Sequence, residues 1–551
     1  MAPSAHLLTK SVTHAEGLVA LLRPPPFPGD PVVLHRAVGD ADGVCDSVID
    51  RLRAARVGGA FWAPPPPADW AGGSVVRAGQ ARTCGDTKPH LDATEAAAAL
   101  WVSPLDIDAL DPWATLERTA ALIAHGDDEW VAIAHILGVE VRFLSPGRFS
   151  GSDGKDDASI RAAALGALTA TGYVDPFTGE DASLAATIDL LAEWRRMFDA
   201  NRTIAVACGM AWWKRDEIRR FLWSPGRDLP FVADGPAALR HAVSKGGAIA
   251  AWPSRVSPRL LSDARADGVE VVRVEDGFVR SVGLGSDLVP PLSVVVDVRG
   301  IHFDPSDPSD LEHILATGDF GAPLIARAQA LRQTIVQAGI SKYAAADAAP
   351  MLPRAPERRL VLVPAQVEDD MSVLAGGGGL TSNLELLRRV RVLEPDAEIW
   401  FRPHPDVDAG HRKGAVPDGD ALNFADRIVR GGSMAALLDT VDAVHVLTSL
   451  TGFEALMRHR EVICHGTPFY AGWGLTRDLA PVPDRRGRAL TLDELVAGVL
   501  ILYPRYLDPV TRLPCPPEVL VRRIAEAAVP NRLSRISRLR QWQGRLMARW
   551  R

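Results

Sequence analysis

Apolar residues gather in short runs separated by stretches of helical period. VVLH (32–35), TIAVACGM (203–210), GAIAAW (247–252), VEVVRVED (269–276), RLVLVPAQ (359–366), AEIWFRPH (397–404) and AVHVLTS (443–449) are mostly apolar with little strict alternation. That is the pattern of parallel strands buried on both faces. Between such runs, LTSNLELLRRVRVLE (380–394) and SMAALLDTVD (433–442) read as helices. Alternating strand and helix predicts an α/β chain with parallel sheets. GSDGKDDA (151–158) reads as a surface loop, and PPPFPGDP (24–31) and PPPP (64–67) as stiff turns or linkers.

The pattern also repeats. Tyr173-Val-Asp-Pro-Phe-Thr178 recurs as Tyr506-Leu-Asp-Pro-Val-Thr511, each followed by a helical stretch, 186–198 and 518–527. Residues 124–149 weakly echo 444–470. Two related modules are therefore expected. The second, from about 201 to 530, has room for two Rossmann-like halves, a first lobe at 201–350 and a second at 351–530. The first, 1–200, has room for little more than one half. A basic tail, 531–551, follows.

Composition narrows the class. The chain has 551 residues, 47% hydrophobic and 23% charged, which is globular and leaves no place for wholesale disorder. A net charge of −7 excludes a nucleic-acid binder held by overall charge. Its five cysteines (Cys45, Cys84, Cys208, Cys464, Cys515) form no CxxC, so neither a zinc knuckle nor a disulfide scaffold is expected. No run of about 18 apolar residues is present to span a bilayer. A cytoplasmic protein, soluble or peripheral on a membrane face, is expected. In the tail, Leu533, Ile536, Leu539, Trp542, Leu546 and Trp550 fall on one helical face, and arginines cover the remainder. Such a helix suits an anionic membrane surface.

Four segments carry candidate chemistry. Strand 269–276 ends in Glu275-Asp276-Gly277, placing two carboxylates at the carboxyl end of a strand, where open α/β sheets bind ligands. Gly277 permits a sharp turn there. Either acid can act as base, since mutual repulsion and burial raise one of their pKa values. In IWFRPHPDVDAGHRKG (399–414), Pro405 restrains His404 at a strand end, and Arg402 and Arg412 offer charge to a phosphate or carboxylate. In LTSLTGFEALM (447–457), Thr448, Ser449 and Thr451 precede a helix expected to open near Gly452, with Glu454 in its first turn. The bland reading there is a capping box, Thr451 with Glu454. In VPAQVEDDMSVLAGGGGLTSN (363–383), Gln366, Glu368, Asp369, Asp370 and Ser372 precede four glycines, and Thr381, Ser382 or Asn383 caps the next helix. A Gly-rich strand-to-helix loop can cradle a phosphate, though Walker and GxGxxG spacings are absent.

Taken in order, these segments resemble the bacterial capsule polysaccharide β-Kdo transferases of the KpsC type. Glu275-Asp-Gly-Phe-Val-Arg280-Ser-Val-Gly-Leu-Gly and Asp287-Leu-Val-Pro-Pro-Leu-Ser are similar to that family's acidic motif and its continuation. Arg402-Pro-His404-Pro405-Asp-Val is similar to its His-Pro motif. Thr448-Ser-Leu-Thr-Gly452-Phe-Glu454, Pro468-Phe-Tyr-Ala-Gly-Trp-Gly-Leu-Thr476 and Gln366-Val-Glu-Asp-Asp-Met-Ser372 are similar to donor-side segments. The resemblance spans about 200 to 530. The acid-Gly and His-Pro pair also resembles sialyltransferases of the GT-B fold. Residues 1–200 depart from the pattern: they hold no acid-Asp-Gly-Phe string and no His-Pro pair, and offer GDDEWVA (126–132) where the second module has TSLTGFE.

The resemblance implies a GT-B-like pair of Rossmann-type lobes preceded by a truncated, noncatalytic module. It implies an inverting transfer of Kdo from CMP-Kdo to a lipid-linked Kdo glycan. Asp276 is the expected base, with Glu275 as the alternative. His404 would stabilise or protonate the departing phosphate. Ser449 and Thr451 would hold the phosphate or the sugar carboxylate, and Glu454 the nucleoside. Gln366, Asp369 and Ser372 would add donor contacts, and Gly277, Arg280, Arg402, Pro405, Thr448 and Gly452 complete the substrate-binding set. No metal or other cofactor is expected. Expected partners are the anionic inner face of the cytoplasmic membrane, through 531–551, and other capsule assembly proteins, but no nucleic acid. Rival readings are a CMP-sialic acid donor, a GT-B-like epimerase and a noncatalytic capsule-assembly scaffold.

Overall fold

The computed structural model describes residues 21–36, 46–78, 93–106, 109–150, 166, 168, 172–279, 289–341, 357–410 and 412–526. Arg280, Cys45, Cys84, the loop expected at 151–158 and the tail 531–551 lie outside the described residues. The chain divides into two compact units, Met1–Arg202 with Trp223–Arg227, and Thr203–Leu222 with Asp228–Arg551.

The first unit carries β1 (His35–Arg36), β2 (Gly73–Arg77), β3 (Leu100–Trp101), β4 (Thr119–His125), β5 (Glu140–Ser145), β6 (Gly172–Val174) and β7 (Asp181–Ala182). Strands β3-β2-β4-β5 form a parallel sheet, and β1-β6-β7 a small antiparallel one. The run at 32–35, expected as a buried parallel strand, thus supplies only the start of a short antiparallel one, half exposed, because its partner is the hairpin strand β6.

The second unit is a GT-B-like pair of Rossmann-type lobes. Its first sheet begins with β8 (Ile204–Cys208), β9 (Phe231–Val232), β10 (Ala248–Ala251) and β11 (Val271–Asp276), all parallel, and β12 (Ser293–Asp297), antiparallel to β11. Helix Arg215–Phe221 packs Ile218 and Phe221 on one face. Helices Gly235–Lys245 and Pro258–Ala266 pack Ala238, Ala242 and Leu260 on the other. Cover on both faces is why these strands read as apolar runs.

The second lobe holds β13 (Leu360–Pro364), β14 (Glu398–Arg402), β15 (Arg427–Ile428), β16 (Ala443–Val446), β17 (Glu461–Cys464) and β18 (Arg477–Asp478). All are parallel, in the order β15-β14-β13-β16-β17-β18. Numbered within the lobe this is 3-2-1-4-5-6, the doubly wound order whose connections change direction between strands 1 and 4. Residues 504–515, which the sequence grouped with this lobe, return to the first sheet as β19 (Pro504–Leu507) and β20 (Pro514–Cys515) beside β12.

That return is the second copy of a repeated hairpin. Tyr173 pairs with Ala182 and Val174 with Asp181, and in the same register Tyr506 pairs with Cys515 and Leu507 with Pro514. The Tyr173 hydroxyl donates to Leu168 O at 2.7 Å, and that of Tyr506 to Leu500 O at 2.6 Å. Asp175 accepts from the Phe177 N–H, and Asp508 from those of Val510 and Thr511. Each turn needs one left-handed residue at the same place, Gly179 (φ 74°) in one copy and Arg512 (φ 61°) in the other. Helices Leu184–Asn201 and Pro517–Ala525 follow at the same offset. The strand-helix-strand passage β4, Glu129–Leu137, β5 likewise matches β16, Leu450–Met457, β17.

One buried carboxylate ties the two lobes. Glu312, in helix Asp310–Thr317 of the first lobe, completes the capping box with Ser309. It also receives Arg486 Nε at 2.6 Å and Arg485 Nε at 2.7 Å. Arg486 then donates to Pro468 O at 2.6 Å and Ala471 O at 3.1 Å, in the loop after β17. Phe278 of the first lobe packs on Phe469 of that loop, ring centroids 4.7 Å apart.

The second lobe also buries two neighbouring histidines. His445 Nδ1 lies 3.0 Å from His465 Nε2. Burial lowers both pKa values to about 4, further depressed by nearby arginines and, for His465, by His445. The unfolded chain therefore takes up protons near pH 6.5 that the folded lobe refuses. Stability contributed by the neutral pair is full above pH 6.5, falls as pH drops toward 4, and levels off below. Each histidine accounts for at most roughly 3 kcal/mol of this loss. Melting temperature measured at pH 7 and 4.5 should fall more in the wild type than in a His445→Asn, His465→Asn variant.

Candidate active site

The carboxyl ends of the parallel strands supply the site. In the first lobe β11 ends at Asp276, β10 leads into Trp252, and β8 leads through a turn to Lys214. Lys214 Nζ sits 2.8 Å from Asp276 Oδ1 and 3.5 Å from the centroid of the Trp252 ring. Alternation along β11 sends Glu275 and Asp276 to opposite faces. Glu275 Oε1 accepts from the Asp276 N–H at 3.0 Å. Its pKa is raised to about 7, first by burial, then by the charge of Asp276, with Asp370 of the second lobe adding to the rise. Lys214 acts the other way. Adjacent acids that sequence leaves equivalent are thus unequal: Asp276 has a cation on it, and Glu275 is held toward neutrality.

Gly277 is required for a reason other than the expected turn. Its φ is not left-handed; a Cβ there would collide with Ser293, whose own Cβ lies at 2.8 Å. Ser293 is buried beneath, donating from Oγ to Val279 O at 2.5 Å.

In the second lobe, Gln366 follows β13 and Thr448 follows β16, the two strands that flank the switch of direction. Gln366 Nε2 donates to Thr448 Oγ1 at 2.9 Å, and the Thr448 N–H donates to Gln366 Oε1 at 2.8 Å. Ser372 Oγ is 3.5 Å from Thr448 Oγ1. The sequence-predicted residues Gln366, Ser372 and Thr448 are therefore brought together across the crevice of an open sheet. Asn383 holds Gln366 from behind, accepting its N–H at 2.9 Å and donating to its carbonyl at 2.8 Å. Ser382, one of the three expected caps, caps helix Asn383–Leu393. Asp369 stands apart from this cradle, paired with Arg412 at 3.1 Å.

The helix after β16 starts earlier than expected. Ser449 is its N-cap, accepting from the Thr451 N–H at 3.2 Å, and the helix runs Leu450–Met457. Thr451 and Glu454 lie inside it, so they form no capping box, and Glu454 is buried in the second turn. The Tyr470 hydroxyl donates to Ser449 O and explains Gly452, where a Cβ would fall on that hydroxyl. Gly376 ends helix Met371–Gly376 and packs on Thr448, whose Cγ2 would lie 2.9 Å from an added Cβ, while Gly378 and Gly379 turn the chain with positive φ.

His404 caps helix Pro405–Asp408, with Pro405 as its first residue. Its Nδ1 accepts from the Asp406 N–H at 3.2 Å. A ring nitrogen that accepts carries no proton, so the neutral ring bears its proton on Nε2. Arg402 turns its guanidinium to the carbonyls of Gly431 and Gly432, and burial lowers its pKa. It braces the loop before helix Met434–Thr440.

Two residues that shape this candidate site escaped the sequence. Lys214 ends the Trp212-Trp-Lys triplet after β8, and a cation beyond a buried strand was the available signal. Tyr470 sat in the PFYAGWG string without a role. At the matching helix of the first unit, Asp128 is the N-cap and is paired with Arg77 at 2.8 Å, Asp127 accepts from the Arg148 N–H, and Glu129 is paired with Arg23 at 2.6 Å. Its cap is thus a carboxylate, where the second unit's helix is capped by the Ser449 hydroxyl. Among the described residues, no group of three or more His, Cys, Asp or Glu is placed to hold a metal ion, and no helix is long and apolar enough to cross a membrane.

Residues 247–506 match the family described as capsule polysaccharide biosynthesis protein. The capsule polysaccharide modification protein LipA of Neisseria meningitidis serogroup A is 42% identical over 339 residues, 62% of this chain and 48% of that protein. The lipopolysaccharide-processing protein LpsZ of Rhizobium meliloti is 47% identical over 315 residues, 56% of this chain and 70% of that protein. This chain spans about half the length of LipA. A solved structure of Thermosulfurimonas dismutans KpsC, beta Kdo 2,4 transferase, is 32% identical with a TM-score of 0.51, covering 58% of this chain and 98% of that one.

The packing of Gly452 against Tyr470 yields a direct test. Gly452→Ala should destabilise the second unit by about 1–3 kcal/mol, since the buried ring has no room to retreat. Adding Tyr470→Phe, which removes the hydroxyl, should recover part of the loss in thermal unfolding.

Proposed function

The chain belongs to the capsule polysaccharide biosynthesis protein family, of the KpsC type, and from that premise we propose that it is an inverting glycosyltransferase. The donor is CMP-Kdo and the acceptor a lipid-linked Kdo glycan in capsule polysaccharide synthesis. The observation that carries this reading is the Gln366–Thr448 bridge at the switch of strand direction, with Asp370 of the same loop in electrostatic reach of the acid pair. A nucleotide site on one lobe then faces a base on the other.

In the proposed reaction an acceptor hydroxyl oxygen attacks the anomeric carbon of Kdo as the bond to the CMP phosphate breaks. The hydroxyl proton passes to Asp276. His404, with its proton on Nε2, donates a hydrogen bond to the departing phosphate. Ser449, Thr451 and the helix amino end behind them stabilise the same charge, while Gln366 and Ser372 hold the donor. CMP leaves with less charge than a nucleoside diphosphate, so these groups suffice without a metal. On this reading the first unit is noncatalytic, which is supported by the Asp128 carboxylate that caps its matching helix where the second unit has Ser449. The basic tail 531–551 would hold the enzyme to the anionic inner face of the cytoplasmic membrane, where lipid-linked acceptor lies.

The raised pKa of Glu275 favours a second assignment, with Glu275 as the base. The two separate by pH and mutation. With Asp276 as base, Asp276→Asn lowers kcat by ~10²–10⁴ at saturating donor while CMP still binds. With Glu275 as base, Glu275→Gln takes that loss, and wild-type activity disappears as pH falls through about 7, where Glu275 protonates. Incubation with CMP-Kdo and a synthetic Kdo-terminated glycolipid, read by mass spectrometry and NMR, tests the activity itself. Absence of an acceptor-dependent product would retire the reading. In that assay EDTA should leave the rate nearly unchanged, and a loss reversed by added Mg²⁺ or Mn²⁺ would refute the metal-free mechanism.

A further inference from the structure

We propose that Lys214 is the positioning residue that divides the labour of the acid pair: it holds Asp276 as an aimed carboxylate, ready to accept a proton. This rests on the assignment of Asp276 as base. Three adjacent strands converge on the arrangement. The lysine arrives from β8, crosses the Trp252 ring at the end of β10, and meets Asp276 at the end of β11. Its side chain is 8% exposed, and Trp213 flanks it with the ring centroid 5.1 Å from Nζ. The ammonium is therefore clamped between aromatic faces and a carboxylate.

A structural tie alone would not call for this. A buried ion pair is weak evidence for stability, since apolar residues of similar volume often serve as well. An ammonium beside a general base, in contrast, does something specific in each turnover. Before transfer it fixes the orientation of Asp276 and keeps it charged. After transfer the ammonium beside the protonated acid favours its charged form and so drives the proton back out. Among the described residues, the charged groups that bear on this arrangement include Asp276 and Glu275 on β11, Asp370 acting on Glu275 from the second lobe, and Arg215 next along the chain. Lys214 also opposes the rise of Glu275, so its removal leaves that acid easier to protonate.

The test compares pH–rate profiles of kcat/KM for wild type, Lys214→Met and Lys214→Arg, with thermal unfolding and CMP affinity measured alongside. In Lys214→Met the acid limb should move up by about 1–3 pH units, with CMP affinity unchanged, because an opposite charge at this range shifts a carboxylate by that much. Lys214→Arg keeps the charge and should keep the limb within about half a unit. If Lys214→Met is too unstable to assay, Lys214→Gln gives the same comparison. A loss in Lys214→Met of equal size at every pH overturns the proposal and leaves a packing contact. Near-wild-type activity of Asp276→Asn overturns the base assignment and this proposal with it. A large loss in Asp276→Asn with an unmoved limb in Lys214→Met overturns this proposal alone.

Discussion

The site depends on the charge of Glu312. This carboxylate caps a helix of the first lobe and accepts from two arginines, and one of them, Arg486, is itself buried. Removing one partner of such a pair strands the other in a poorly solvating interior, at a cost of several kcal/mol. Arg486 spends its remaining donors on the backbone of 468–471. That segment carries Tyr470, whose hydroxyl reaches the Ser449 carbonyl at the cap of helix Leu450–Met457. A single chain of contacts therefore runs from the first lobe, through one ion pair, to the amino end of the proposed phosphate-holding helix.

Much of this was legible as strand ends. Runs such as LVLVP and IAVAC are apolar because sheets covered on both faces leave no polar side, and polar residues first gather at or just past the carboxyl ends of the strands. Glu275, Asp276, Gln366, His404 and Thr448 were found that way. The repeat was legible too, because Tyr173 and Tyr506 close the same hairpin in the same register.

What stayed hidden depended on distant partners. Lys214 acquires meaning only when β8 and β11 are known to lie either side of β10. Gly277 looked like a turn residue, and its true neighbour, Ser293, lies across a hairpin connection. The helix cap was misplaced by two residues because Ser449 and Thr451 both suit that role, and only the fold of 465–471 onto Ser449 decides between them. Arg402 read as a cation for a phosphate or carboxylate, and only the fold shows that its guanidinium also donates to the carbonyls of Gly431 and Gly432.

The duplicated fold has a consequence for occupancy. Both units place a helix after a parallel strand at matching positions, yet the first unit's helix is capped by Asp128, which accepts from the Trp130 N–H and is paired with Arg77, where the second has Ser449. An approaching phosphate would have to displace a carboxylate of equal sign that is tethered in place and therefore present at very high local concentration. The two helices thus have amino ends of opposite character: the first is capped by a fixed carboxylate and the second by a hydroxyl, so an anion meets like charge only at the first.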